Sequence, residues 1–187
     1  MTMKTQLLLM LIPGCINILT AQNDFVVTNK NDTIHGTVSI TRAGEVKIKY
    51  RNESGKRDRD TFSASSIRAY SQDGLFYESH PITPLNKNAS IERVLVMKIE
   101  SGTLSLYKET NYGYATTGTG GLMPISETKY YFKKTNETFM TRARASQKKL
   151  MTYFNDCEEV RNALNNKTIK KKDFRSFVKL YNEYCGK

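Results

Sequence analysis

The sequence predicts an α+β protein: an antiparallel sheet, curled or closed into a small barrel-like domain, followed by two to three short helices. Three observations predict it. Apolar and polar residues alternate with a period of two from Asp24 to about Arg142, which is the pattern of antiparallel strands with one wet face. Turn residues cut this region into eight or nine short runs. After Arg142 the apolar spacing changes to the 3.6 of a helix. The chain therefore divides into residues 1–21, an antiparallel β domain over 22–142, and a helical region over 143–187 packed on it.

Residues 1–21 have a basic start at Lys4 and an apolar run, Leu7 to Ile12, that weakens towards Leu19 before the polar Gln22-Asn23-Asp24. That order predicts a secretory signal peptide cleaved after Ala21. The run is too short to span a bilayer, and Pro13, Gly14 and Asn17 interrupt it. A second route fits the same residues. Ile12-Pro13-Gly14-Cys15 resembles a bacterial lipoprotein box, with Cys15 acylated as the mature N-terminus. Either route leads out of the cytoplasm, to the periplasm or beyond, with or without a lipid anchor.

In the β domain, Ile34, Val38 and Ile40 alternate with Thr33, His35, Thr37 and Ser39, and Val46, Ile48 and Tyr50 alternate with Lys47 and Lys49. Further strands are expected at 57–62, 68–71, 75–79, 93–100, 103–109, 129–134 and 138–142. Asp73-Gly74 and Ser101-Gly102 lie between apolar runs and predict tight hairpin turns. Residues 83–90 read as a surface loop. Residues 111–124 hold Gly113, Gly118, Gly120 and Gly121 and read as an irregular, flexible hairpin tip. They lack the Gly-Lys-Ser/Thr ending of a phosphate-binding loop.

Three helices follow. The first covers about 144–155. Asp156-Cys157-Glu158-Glu159 has the D-x-x-E form of a capping box and is expected to start the second. The third runs from about Lys171 to Tyr184, with Asp173 in its first turn, where a negative charge is favoured. Its stripe of Phe174, Phe177, Val178 and Tyr181 is the most regular in the chain. Cys157 and Cys185 fall on the apolar sides of neighbouring helices. In an exported chain two such cysteines predict one disulfide.

The order of these features resembles a group of small exported proteins of Bacteroidota-type Gram-negative bacteria that have no established activity. The residues that carry the resemblance are Asn31-Asp32-Thr33-Ile34-His35-Gly36, Asp73-Gly74-Leu75-Phe76-Tyr77, Tyr153-Phe154-Asn155-Asp156-Cys157 and Tyr181-Asn182-Glu183-Tyr184-Cys185. It implies an exported location and supplies no catalytic residues.

Few residues suit catalysis. His35 and His80 have no local partner motif for acid–base work. Asp58 and Asp60 share one face of a strand, with Arg57 and Arg59 on the other, and read as an exposed charged hairpin. No calcium loop or zinc-ligand spacing occurs. The expectation is a non-enzyme with no catalytic residues, no cofactor and no metal.

Charge is the stronger signal. The chain carries 29 Lys+Arg against 18 Asp+Glu, a net charge of +11. Residues 142–187 hold twelve basic and five acidic residues, so the excess gathers at the helical end. Arg144, Lys148, Lys149, Lys170, Lys171 and Lys172 are the candidate residues for an anionic partner. Export disfavours nucleic acid and favours an anionic envelope lipid or glycan, or another envelope protein. The alternative function is a small-ligand carrier, with Tyr112, Tyr114, Tyr130 and Phe132 lining a pocket in the β domain.

Overall fold

The structure, a computed structural model, describes residues 24–84, 90–116 and 122–186, with the backbone alone for 111–116, 122, 124 and 125. The expected signal segment and Cys15 lie outside the described residues, as do the side chains of Tyr112 and Tyr114.

The strands are β1 (Asp24–Thr28), β2 (Thr33–Ile40), β3 (Val46–Arg51), β4 (Arg57–Phe62), β5 (Ile67–Gln72), β6 (Leu75–Pro81), β7 (Arg93–Glu100), β8 (Leu104–Thr116), β9 (Leu122–Lys134) and β10 (Thr141–Arg142). They form one sheet in the order β10-β9-β8-β7-β6-β5-β1-β2-β3-β4, and every strand pair is antiparallel. β1 thus lies inside the sheet. β2 to β4 wind out from one side of it, and β5 to β10 from the other.

The predicted class holds: an antiparallel sheet, then three short helices, α1 (Gln147–Tyr153), α2 (Glu158–Asn165) and α3 (Phe174–Tyr184). The expected curling or closure does not. The sheet is open, with β4 and β10 as its edges. Its largest apolar cluster is covered by helices rather than by the sheet closing on itself. One isolated parallel bridge, Ile82 to Met140, ties the end of β6 to the approach to β10.

Hairpin chemistry sets much of the register. Asp73 and Gly74 both adopt positive φ, 52° and 77°, as a tight two-residue turn requires. Residues 111–116 and 122–124 are strand rather than the irregular tip expected. β8 and β9 stay paired to Thr116 and Leu122, with Tyr114 opposite Pro124. Gly and Pro weaken strand propensity but do not prevent pairing once a long hairpin has set the register.

The helices bury their apolar sides on β8 and β9. Leu104, Leu106 and Phe132 from the strands meet Leu150, Phe154, Val160, Leu164, Phe174, Phe177, Val178 and Tyr181. Phe132 sits edge-on to Phe154 and Phe174, with centroids 5.3 and 5.7 Å away. Fully burying each such ring stabilises by roughly 1.5–3 kcal/mol. Cys157 and Cys185 form a disulfide with Cα atoms 5.7 Å apart. It joins the N-cap of α2 to the C-cap of α3. Two further clusters lie on the sheet, one around Val26, Val46, Ile48 and Ile67 and one around Val94, Val96, Tyr107, Tyr131 and Met140.

Candidate functional site

The first turn of α1 faces a cleft of about 770 Å³ between that helix and the end of the sheet. Phe132 and Leu150 contribute its apolar floor, and Lys134, Arg142, Arg144, Lys148 and Lys149 its cations. α1 places Lys148 and Lys149 by its own amphipathicity. Leu150 and the following Phe154 turn inward to the core, so Lys148 and Lys149 are left outside. Glu137 is the one carboxylate in the lining, and it is already engaged. Its Oε2 accepts from the Tyr153 hydroxyl at 2.9 Å and from the Lys134 backbone N–H at 3.0 Å.

The cations differ in their commitments. Lys134 donates to both oxygens of Asp156, at 2.9 and 2.8 Å. Its ammonium also lies over the rings of Tyr153 and Tyr181. Arg142 pairs with Glu127 at 3.3 Å, an exposed contact that contributes little. Arg144, Lys148 and Lys149 make no ion pair among the described residues. A smaller hollow shares Thr83, Pro84, Arg142 and Arg144 with the cleft and adds Tyr131, Lys129, which pairs with Glu127, and the carboxylate Glu92, so across β10 the lining becomes mixed in charge.

Of the six cations predicted for an anionic partner, the structure brings three, Arg144, Lys148 and Lys149, into this cleft. Lys170, Lys171 and Lys172 stand exposed on the α2–α3 connection. Lys172 borders a separate depression of about 410 Å³ with Tyr130, Phe174 and Arg175. Of the aromatic residues suggested for a carrier pocket, Phe132 lines the floor of the cleft and Tyr130 lines the depression beside Lys172, and both also pack. Phe132 is 1% exposed, and Tyr130 rests 5.6 Å from the Phe174 ring. Sequence reasoning missed Lys134, Glu137 and Tyr153 as part of the cleft. Arg142 belongs to the basic excess of residues 142–187 but is not among the six residues singled out for an anionic partner.

The titratable groups of the region are tuned by packing. Burial is the main cause that raises the Tyr153 phenol, with Glu137 adding to it. Burial also pushes the Tyr181 phenol up to about 12, aided by its hydrogen bond to Asp156. At Asp156 burial opposes ionisation, but hydrogen bonds from Lys134 and Tyr181 outweigh it and hold the carboxyl below its ordinary range. Elsewhere, burial lowers His80 against the opposing hydrogen bond to Glu78, and its ring packs edge-on to Tyr107. Cys157, Glu159 and Cys185 form the one cluster of potential metal donors among the described residues, and the disulfide occupies both sulfurs. No described helix is long and apolar enough to cross a membrane.

No family model, curated protein or solved structure matches this chain.

Proposed function

We propose that the protein is an exported, non-enzymatic envelope protein that binds an anionic partner through its basic C-terminal end, at the cleft beside α1. One observation carries the reading. Arg144, Lys148 and Lys149 line a single concave site, make no ion pair among the described residues, and face a carboxylate, Glu137, that is already satisfied. Uncompensated like charges on low-dielectric walls focus potential towards an anion. Export is supported by the apolar N-terminal run and by the resemblance to exported bacterial proteins. The disulfide suits an oxidising compartment. The polar contacts of His80 and of the Asp156–Lys134 pair are those of packing and helix anchoring, which fits a binding protein better than a hydrolase.

The test is an NMR titration with tripolyphosphate as a soluble phosphate probe. Amide shifts should concentrate on residues 142–149 and weaken as salt rises. The triple variant Arg144→Gln, Lys148→Gln, Lys149→Gln should bind at least about tenfold less tightly, since charge-assisted hydrogen bonds are each worth roughly 1.5–3 kcal/mol. Shifts that avoid this segment, or an unchanged affinity in the variant, would sink the reading.

A further inference from the structure

A second concentration of charge lies at the opposite end of the sheet. Along β3, Val46, Ile48 and Tyr50 turn to the core cluster, so Lys47, Lys49 and Arg51 stand on the other face. The β3–β4 register sets Arg59 directly opposite Lys49, and Arg57 directly opposite Arg51. Five cations therefore share one face of two strands, while Asp58 and Asp60 fall on the reverse face. None of the five makes an ion pair among the described residues. The Arg51 guanidinium donates to the Gly55 carbonyl, at 2.9 Å.

Like charges directly opposite one another destabilise a strand pair, so this arrangement works against the fold it sits on. Protecting the sheet edge from pairing with another chain explains cations on β4, the edge strand. It does not explain three more on β3, one strand inward. The same face continues through His35 into an aromatic row. The Phe25 ring lies 6.0 Å from His35 and 6.3 Å from Phe76, and Phe76 is 48% exposed on the β5–β6 hairpin.

We propose that this outer face of β2–β4, with the Phe25–Phe76 row beside it, docks the protein peripherally on an anionic lipid bilayer. Cations spaced about 5 Å across strands and about 7 Å along them form a two-dimensional array. Such an array meets a surface of headgroups on all its members at once, whereas a single polyanion chain meets one row. Aromatic rings beside the cations suit the interface between headgroups and acyl chains.

The test is co-sedimentation of the protein with vesicles of phosphatidylcholine alone and of phosphatidylcholine mixed with phosphatidylglycerol. The protein should partition onto the mixed vesicles only, and less as salt rises. Lys49→Gln with Arg59→Gln should weaken that partitioning about 30-fold, from about 1 kcal/mol for each cation at the surface. Its thermal midpoint should stay level or rise, because a repelling pair has gone; a purely structural role for the pair predicts a fall. The Arg144→Gln, Lys148→Gln, Lys149→Gln variant should sediment as wild type, which separates this face from the α1 cleft. Absence of partitioning at low salt overturns the proposal. So does an unaffected β3–β4 variant, loss in the cleft variant instead, or binding to soluble heparin without binding to vesicles.

Discussion

A hydrogen atom in place of a methyl group at Gly36 lets β2 lie against β3. A Cβ there would collide with the Lys49 carbonyl oxygen and sit 3.0 Å from Ile48 Cγ1. Gly36 is not in the left-handed region, so the constraint is steric alone. Relief would need movement of backbone in a strand that carries core residues. Gly36→Ala is therefore expected to cost about 1–3 kcal/mol, the range for overpacking, read as a lower urea midpoint with an unchanged slope. A loss of only a few tenths would show that β2 can shift freely. Asp73-Gly74 is the instructive contrast. Its turn is written in two adjacent residues and was legible directly. The role of Gly36 depends on which strand pairs with β2, and no local pattern states that. The basic face has the same character. The alternation of Lys47, Lys49 and Arg51 is readable from the sequence, and so is that of Arg57 and Arg59. Their juxtaposition exists only once the β3–β4 register is known.

The three helices show where element-level reading succeeds and where it fails. Their number and apolar faces were legible because 3.6 spacing is a local property. The helix ends were less so. Asp173 does cap α3, accepting from the Ser176 backbone N–H at 3.2 Å. Asp156 does not cap α2, although it stands in a D-x-x-E pattern. Cys157 takes the N-cap position without a side-chain bond, and Asp156 turns to Lys134 on β9 and Tyr181 on α3. A long-range cation outcompetes the local amide, so Asp156 fastens sheet, α1–α2 connection and α3 together. Its carboxyl is held below the ordinary range in the folded protein. The stability it contributes is thus present above the unfolded-state value and lost as pH falls through the folded one. Asp156→Asn should lower stability near neutral pH by about 1 kcal/mol, since the carboxylate is partly exposed. The variant should also lose less on acidification between about pH 5 and pH 2. Urea unfolding across that range measures both, and parallel pH profiles for the two proteins would refute the role assigned to Asp156.

At the scale of the molecule, the buried apolar side chains among the described residues gather in three clusters rather than one core. The sequence announced strands followed by helices, yet not that the helices would cover β8 and β9 and leave β1–β4 to a separate cluster. Alternation reveals that a strand has a buried face, but not which element covers it. Separate clusters imply unequal local stability, because opening one need not expose another. The disulfide tests this. It links positions 28 apart in sequence, and the loop it closes carries α2 and α3, whose buried faces belong to the helical cluster. In the chain-entropy model such a link stabilises by roughly 3–4 kcal/mol. Cys157→Ser with Cys185→Ser should therefore speed amide exchange in α2 and α3, with a smaller change on β8 and β9. Amides of β1–β3, which pack around Val26 and Ile48, should keep their protection. Equal acceleration in both regions would mean that the clusters open as one cooperative unit. Unequal acceleration would mean that the basic cleft can loosen with its helices while the cation-bearing face of β3 and β4 stays in register. The two charged surfaces would then respond separately to reduction, because each is supported by a different core.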